Sequence, residues 1–131
     1  PNMIKLLEVV TSSGQGTSED SSSDLFQKEQ QRRGSLFLVL EYMEHDLAGL
    51  IDMQYEFSPQ AIKFISKQLL EVLGHLHDNR YLHRDIKCSN LLLDHNLHLK
   101  LADFGLARRL KVDDKDALLT NRVITLWYRP P

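Results

Sequence analysis

The sequence predicts an α+β fold in which one long amphipathic helix lies among several short strands. From Ser58 to about Asp78, apolar side chains recur every three or four residues, the spacing of a helix with one buried face. Short runs rich in leucine, isoleucine and valine lie on both sides of this segment, and their length suits strands. Turn-forming residues separate the runs that follow the helix.

Composition and charge exclude several classes of protein. The chain has 131 residues and a formal net charge of -2, so it is not a strongly basic nucleic-acid-binding protein, and we expect no direct nucleic-acid contact. Its longest clean apolar run, Leu36–Leu40, is far too short to span a bilayer, and we expect no membrane association. The single cysteine, Cys88, excludes an internal disulfide.

The first third of the chain contains two predicted strands with a polar insert between them. Ile4–Val10 is apolar and partly β-branched, which favours a strand. Residues 11–34 are Ser-rich and carry few large apolar side chains, so they cannot bury enough surface to offset their ordering entropy. We predict a flexible insert there, with Gln27–Arg33 either a frayed helix or more loop. Leu36–Leu40 is predicted to be a buried strand.

Two helices are predicted next, each with a recognisable start. Asp46 can cap a short helix that runs to about Asp52. Ser58 is a good N-cap and Pro59 suits the first helical position of the long helix, which is predicted to end near Asp78-Asn79. The predicted buried face of the long helix consists of Ile62, Ile65, Leu69, Val72, Leu73 and Leu76.

Short strands and loops are predicted after the long helix. The strands are Tyr81–Leu82, Leu91–Leu93 and Leu97–Leu101, with a turn at His95-Asn96 between the last two. Residues 107–121 are charged and are predicted to be irregular.

Two short strings carry residues that could perform chemistry. His83–Asn90 reads HRDIKCSN and Asp103–Gly105 reads DFG. An ionised Asp85 is purely an acceptor, so it can orient a hydroxyl group and receive its proton. Lys87 can supply positive charge to a group that carries negative charge during the reaction.

A pair of oxygen donors suits a metal ion. Asn90 offers an amide oxygen and Asp103 a carboxylate, both of which are hard ligands suited to a Mg²⁺ ion that also holds nucleotide phosphates. Gly105 permits backbone angles that are strained for other residues, which suits a hinge.

These strings, in this order, resemble the catalytic loop and the magnesium-binding motif of the eukaryotic protein kinases. PNMIKLLEV looks like the fourth strand of that family, and LFLVLEYM looks like its fifth strand and hinge. The resemblance implies a partial protein-kinase-like fold over residues 1–131: the end of the N-lobe with the insert at 11–34, the hinge, and the start of the C-lobe. It also implies ATP and Mg²⁺ as cofactors, with Asp85, Lys87 and Asn90 as catalytic residues.

The resemblance further implies a nucleotide site. Leu40 takes the gatekeeper position, where cyclin-dependent kinases usually have phenylalanine, and the smaller side chain should enlarge the pocket behind it. Glu41 and Met43 would offer backbone groups to adenine, Asp46 would face the ribose, and Leu92 would lie under the base. Asp103 completes this set through the metal ion.

The end of the chain narrows the resemblance to the cyclin-dependent kinases. Residues 120–129 read TNRVITLWYR, which is similar to the activation segment of that family. The resemblance implies that Thr120 is the activating phosphosite. Arg84 and Arg108 would bind the added phosphate through charge-assisted hydrogen bonds.

The same segment implies a substrate pocket. Val123, Ile124 and Arg129 would shape a pocket for the proline that follows the target Ser or Thr. Thr125 would brace the catalytic aspartate and lysine.

Within the family, EYMEHDLAGL and HRDIKCSNLLL look most like the transcription-associated branch, whose members phosphorylate the C-terminal repeats of RNA polymerase II. The resemblance therefore implies a cyclin-activated, proline-directed Ser/Thr kinase. Its partners would be a cyclin and a protein substrate with Ser/Thr-Pro sites. Its location would be the nucleus, with the cytoplasm as a second compartment left open.

Other parts of the family pattern do not occur in these 131 residues. Gly14 and Gly16 do not form a G-x-G-x-x-G loop, because Glu19 stands at the third position. The VAxK lysine and its partner glutamate on helix αC do not occur either. We therefore expect the isolated chain to be inactive and unstable. Two hypotheses stay open: a parent protein that is a Ser/Thr kinase, or a truncated, catalytically incompetent chain that acts, if at all, as a binding module.

Several residues have plainer interpretations. His83 is predicted to pack and to form hydrogen bonds without reacting. Cys88 is predicted to be inert, and Trp127 and Tyr128 are predicted to be packing residues.

Overall fold

The computed structural model describes residues 2–12, 35–110 and 126–129. The chain divides into two units, Lys5–Glu41 and a larger one formed by Pro1–Ile4 and Tyr42–Pro131. Helices and short antiparallel strands occur together, so the predicted α+β class is confirmed. No helix in the described ranges is both long and apolar enough to cross a membrane.

The smaller unit is a two-stranded antiparallel ribbon of β1 (Leu6–Thr11) and β2 (Leu36–Leu40). The prediction that Leu36–Leu40 is buried is wrong, because its side chains are 39% to 63% exposed. Two strands alone form no second layer, so within this unit neither face of the ribbon is covered. The first strand is also displaced from its predicted range, which was residues 4–10.

The ends of the predicted insert are joined by hydrogen bonds. The backbone N–H of Ser12 donates to the carbonyl of Ser35 at 2.9 Å, and the backbone N–H of Ser35 donates to Ser12 Oγ at 3.0 Å. Thr11, where the insert was predicted to begin, still belongs to β1. Residues 13–34 lie outside the described part of the chain.

Both predicted helices of the larger unit form, with the predicted caps. Helix α1 (Leu47–Asp52) begins after Asp46, whose Oδ1 accepts the backbone N–H of Gly49 at 2.8 Å. Helix α2 (Pro59–Asp78) begins after Ser58, whose Oγ accepts the backbone N–H of Ala61 at 3.2 Å. Each cap satisfies a backbone donor that the first helical turn cannot pair.

The buried face of α2 is centred on Ile65, Val72 and Leu76. The prediction that Ile62 belongs to this face is wrong, since its side chain is 53% exposed. At 100° per residue it lies about 60° round the helix from Ile65, on the flank of the stripe. On the opposite flank, the polar Gln68 is buried instead.

A three-stranded sheet packs against α2 in the order β3 (His45–Asp46), β5 (Leu91–Leu93), β6 (Leu99–Leu101). The last strand is shorter than the predicted Leu97–Leu101, because Leu97 has a left-handed backbone with φ of 63° and cannot extend the pleat. The predicted turn at residues 95–96 is confirmed. The core cluster consists of Leu50, Ile65, Val72, Leu76, Leu91, Leu93, Leu99 and Leu101.

A second strand pair joins the two ends of the segment that carries the HRD and DFG strings. Strand β4 (Tyr81–Leu82) forms as predicted and pairs antiparallel with β7 (Arg108–Arg109). The stretch from residue 107 therefore begins with a strand, whereas the sequence predicted it to be irregular. This pairing brings the chain before the HRD string alongside the chain after the DFG string.

Candidate active site

The two motif strings meet at a hydrogen bond between their backbones. The HRD string leaves β4 and ends in a 3₁₀ turn, Cys88–Asn90, whereas the DFG string follows β6 directly. The backbone N–H of Ala102 donates to the carbonyl of Asn90 at 2.9 Å. Asp103, the next residue, is therefore held close to Asn90.

His83 lies buried behind this junction and has a defined tautomer. Its Nδ1 accepts the backbone N–H of Asp85 at 3.3 Å, so the proton lies on Nε2, which is 3.0 Å from the carbonyl of Ala102 and donates to it. Burial lowers the pKa of His83 below its usual value, which favours this neutral form. Its ring meets that of Phe104 edge-on, with centroids 4.9 Å apart. The predicted structural role of His83 fits these contacts.

Asp85 is the buried carboxylate of the site, and its side chain is 7% exposed. Lys87 Nζ lies 2.7 Å from its Oδ2. The hydrogen bond from Lys87 lowers the pKa of Asp85, and the same hydrogen bond raises the pKa of Lys87. Both groups are therefore charged at neutral pH. The other carboxylate oxygen, Oδ1, is the one that the lysine does not engage.

Asn90 is also buried and is oriented by Asp85. Its Nδ2 donates to the backbone carbonyl of Asp85 at 2.8 Å and to Asp85 Oδ2 at 3.1 Å. Because the amide nitrogen faces Asp85, the amide oxygen is directed to the other side of the group. This amide oxygen is the atom through which Asn90 could bind a metal ion.

Asp103 has a left-handed backbone with φ of 60°, a conformation that is strained for residues other than glycine. Its carboxylate is exposed, and its Oδ1 accepts the backbone N–H of Gly105 at 3.2 Å. Gly105, which the sequence identified as a residue that permits such angles, does not adopt one here, since no described glycine has a positive φ. The strained residue is Asp103, and glycine at 105 instead leaves room for its carboxylate.

The donor set fits a magnesium ion that binds together with a nucleotide. In the described ranges, no group of three or more His, Cys, Asp or Glu side chains could hold a metal by itself. Mg²⁺ commonly takes only one or two protein oxygens and completes its octahedron with substrate phosphates and water. The oxygens of Asn90 and Asp103 suit that pattern.

Arg84 shows how the site could receive an anion. Its backbone is left-handed, with φ of 67°, and its Nε donates to the carbonyl of Leu106 at 2.7 Å. Its Nη1 is buried and has no hydrogen-bond partner among the described residues, which is costly for a charged donor. Arg108 pairs in β7 with Leu82, two residues before Arg84, so the chain segments that carry both predicted phosphate ligands adjoin each other.

The predicted nucleotide residues are divided between the two units. Leu40 ends β2, and the backbone N–H of Glu41 donates to the carbonyl of Lys5 at 2.9 Å, both within the smaller unit. In the larger unit, Asp46 pairs with Leu92 across β3 and β5, and Met43 is half-buried. Asp46 is thus close to Leu92 while its Oδ1 also caps α1.

Four predicted residues, Thr120, Val123, Ile124 and Thr125, lie outside the described ranges. Arg129 is described and exposed, and its backbone N–H donates to the carbonyl of Leu126 at 3.3 Å. Trp127 is 92% exposed, so its predicted packing role is wrong in this structure. Tyr128 lies beside Cys88, and this neighbour raises the pKa of the phenol.

Sequence reasoning missed two residues that organise the site from behind, Asn2 and Gln68. Gln68 forms hydrogen bonds with Asn2, with the carbonyl of Leu97 and with the backbone N–H of Leu99, at the start of β6. The sequence did contain a signal for the burial of Gln68. This residue stands between Ile65 and Val72, at the three- and four-residue spacing of the buried helix face. A polar residue inside an apolar stripe is expected to have buried partners.

Comparison with known proteins agrees with this geometry. The protein kinase domain model matches residues 1–131. Cyclin-dependent kinase C-1 of Oryza sativa subsp. japonica is 51% identical over 131 residues, which cover 99% of this chain and 24% of the rice protein. The CTD kinase subunit alpha of Schizosaccharomyces pombe is 55% identical over 100 residues, covering 76% of this chain and 17% of that protein.

A solved structure shows the same fold. The crystal structure of the yeast RNA Pol II CTD kinase CTDK-1 complex contains a chain that matches with a TM-score of 0.75 and 37% sequence identity. The match covers 99% of the present chain and 36% of that chain. The present chain thus spans about a quarter of the rice protein and about a third of the yeast chain.

Proposed function

Because the chain belongs to the protein kinase family and its relatives include cyclin-dependent kinases, we propose that the native polypeptide transfers the γ-phosphoryl group of ATP to Ser or Thr of proteins. The observation that carries this proposal is the buried Asp85 carboxylate, which Lys87 and Asn90 hold through a single oxygen.

The arrangement suits phosphoryl transfer in a direct way. With Oδ2 engaged, Asp85 Oδ1 can accept the proton of a substrate hydroxyl as that oxygen forms its bond to phosphorus and the bond to the β-phosphate oxygen breaks. Lys87 carries positive charge beside this point and can stabilise the transferring group. When bound, Mg²⁺ neutralises phosphate charge, and Asn90 with Asp103 would hold it. In the larger unit, as the family resemblance implies, Met43 would offer backbone groups to adenine, Asp46 would face the ribose, and Leu92 would lie under the base.

Activation by a cyclin and by phosphorylation is part of the proposal. Relatives named as cyclin-dependent kinases support the cyclin. Arg84 Nη1 is buried and has no hydrogen-bond partner in the described part of the chain, which supports a phosphate at Thr120, because an anion there would satisfy this donor. Arg108 would add a second positive charge, and Thr125 would brace the catalytic pair.

The proposed substrate is a Ser/Thr-Pro site, with the C-terminal repeats of RNA polymerase II as the candidate. The names of the fission yeast relative and of the yeast complex, both CTD kinases, support this choice and a nuclear location. Val123, Ile124 and Arg129 would contact the proline.

The test uses the native polypeptide with its cyclin, Mg-ATP and peptides that contain Ser-Pro or Ser-Ala. We expect phosphate transfer that favours Ser-Pro and falls about 10²- to 10⁴-fold in Asp85→Asn, the usual contribution of a general base. Asp78→Asn, an exposed carboxylate at the end of α2, is the matched control and should leave the rate unchanged. Equal rates in wild type and Asp85→Asn would refute the proposal.

The alternative is a short, non-catalytic binding module. The exposed apolar side chains of the β1–β2 ribbon favour it, because such surface is often covered by a partner. An antibody raised to residues 11–33 separates the two functions by the mass of the native polypeptide. A band well above the mass of 131 residues supports the kinase, and a band at that mass supports the module.

A further inference from the structure

Gln68 is a buried polar residue in the apolar face of α2, and all its hydrogen-bonding capacity is used. Its Oε1 accepts from Asn2 Nδ2 and from the backbone N–H of Leu99, each at 3.0 Å. Its Nε2 donates to the carbonyl of Leu97 at 2.9 Å and to that of Phe64 at 3.4 Å. One side chain thus ties the helix to the start of β6.

Asn2 forms hydrogen bonds with β6 along the edge that does not pair with β5. Its Nδ2 donates to the carbonyl of Leu99 at 3.0 Å, and its own carbonyl accepts the backbone N–H of Leu101 at 2.8 Å. The backbone N–H of Ile4 donates to the carbonyl of Leu101 at 2.9 Å. Strand β6 therefore has β5 on one side and residues 2–4 on the other.

The fixed strand leads directly to Asp103. The carboxylate of Asp103 is exposed, and its backbone is strained. Strained backbone persists only where the surroundings determine it strongly. On the C-terminal side of Asp103, the backbone N–H of Gly105 donates to its carboxylate. On the N-terminal side, the chain is held by strand β6 and by the hydrogen bond between the Ala102 carbonyl and His83.

We propose that Asn2 and Gln68 are positioning residues for Asp103, which hold its carboxylate in place for Mg²⁺ by fixing β6. This inference rests on the proposed metal site. It assigns part of the metal affinity to two side chains that lie on the far side of the strand from the catalytic loop and contact neither substrate nor metal.

The test compares Asn2→Asp and Gln68→Glu with wild type in the native polypeptide bound to its cyclin. Asn2→Asp turns a donor into an oxygen that faces Gln68 Oε1 and the Leu99 carbonyl, and Gln68→Glu removes both donors of Gln68. We expect the Mg²⁺ concentration for half-maximal rate to rise roughly tenfold, as is typical when support of a metal ligand is lost. The KM for the protein substrate should stay unchanged.

A second readout does not depend on activity. Mn²⁺ binding in the presence of a non-hydrolysable ATP analogue, followed by electron paramagnetic resonance, should weaken by a similar factor. Asn79→Asp is the matched control, because Asn79 also donates its amide to a backbone carbonyl, that of His75 at 2.8 Å, but at the end of α2. It should lower thermal stability without changing either metal measurement.

The outcomes are distinct. If the variants lose thermal stability, as the control does, but keep the Mg²⁺ and Mn²⁺ dependence of wild type, Asn2 and Gln68 are purely structural and the inference is overturned. If Gln68→Glu does not fold, Asn2→Asp decides the matter, since Asn2 is only half-buried and aspartate tolerates the left-handed backbone at this position, with φ of 60°. If wild type transfers no phosphate, the proposed function fails, and Mn²⁺ binding still tests this inference.

Discussion

The side-chain nitrogen of Asn90 contacts Asp85 twice: it lies 2.8 Å from the backbone carbonyl oxygen and 3.1 Å from carboxylate Oδ2. The two contacts fix the carboxylate relative to its own backbone. They also turn the amide oxygen of Asn90 away from Asp85. A single buried side chain therefore orients the proposed proton acceptor and provides the oxygen proposed to bind the metal ion.

Replacing this amide by a carboxylate should disable the site. In Asn90→Asp, a second negative oxygen faces Asp85 Oδ2 and its carbonyl, so the donor is lost and the like charges repel. We expect kcat at saturating Mg-ATP to fall at least about 100-fold, the lower end of a general-base contribution. Asn96→Asp, an exposed position in the turn before β6, should retain wild-type kcat. Comparable losses in both variants would contradict this role.

The Lys87 contact predicts a shift in the pH profile. Asp85 must be ionised to accept a proton, so activity is lost as pH falls through its pKa, which the hydrogen bond from Lys87 lowers below the usual value of 3.8. Lys87→Met removes this hydrogen bond, whereas the burial of Asp85, which raises its pKa, remains. The acid limb of kcat/KM should therefore move to higher pH than in wild type, in addition to a loss in rate.

A surface lysine provides the control for this experiment. Lys67 pairs with Glu71 at 3.7 Å, and both side chains are more than half exposed. Such pairs contribute about 0–1 kcal/mol, so Lys67→Met should change neither the rate nor the pH profile. An acid limb that stays in place in Lys87→Met would show that another group governs the pH dependence.

His83 predicts how stability changes with pH. Its pKa is lowered in the folded state, so below the unfolded value of about 6.5 the unfolded chain binds a proton that the folded chain does not. Stability should therefore fall as pH drops from about 6.5 to the lowered folded value, by up to about 1.4 kcal/mol per pH unit for one proton.

Thermal denaturation of the native polypeptide between pH 7 and 5 measures this effect. His83→Gln should be less stable overall by about 0.5–3 kcal/mol, since the buried ring and its contact with Phe104 are lost, but the slope of stability against pH should be smaller than in wild type. His77→Gln changes an exposed histidine and should leave the slope unchanged. Identical slopes in all three proteins would assign the pH dependence to other groups.

Local rules explain what the sequence predicted well. Asp46 and Ser58 cap their helices because a short polar side chain can reach a backbone donor three residues ahead, which needs no tertiary information. The proposed catalytic residues were identified because one short string, HRDIKCSN, resembles the catalytic loop of the protein kinases. Asp85, Lys87 and Asn90 lie within six residues of each other, and the structure joins them by hydrogen bonds.

Features that depend on distant parts of the chain could not be predicted in this way. Gln68 is buried because Asn2 and Leu99, far away in sequence, supply its partners. Leu36–Leu40 has an apolar composition suited to a core, yet its exposure depends on which layers are present around it. The left-handed backbone of Asp103 was not predicted, because glycine at 105 only permits such a conformation, whereas the surrounding contacts impose it on Asp103.

Gly105 therefore predicts a steric effect. A Cβ atom at this position would lie 3.1 Å from Asp103 Oδ1, closer than ordinary van der Waals contact, so Gly105→Ala should displace the carboxylate slightly. We expect the Mg²⁺ concentration for half-maximal rate to rise by less than the roughly tenfold typical of losing support of a metal ligand, with kcat at saturating Mg²⁺ retained.

Gly74→Ala is the matched control, because a Cβ atom there meets nothing within 4 Å. Alanine in the interior of α2 should raise stability by about 1 kcal/mol without changing the Mg²⁺ dependence. If Gly105→Ala instead abolishes activity at every Mg²⁺ concentration, the glycine is needed for backbone movement and not only for space. Unchanged Mg²⁺ dependence would show that the Asp103 carboxylate adapts to the added methyl group at no cost to metal binding.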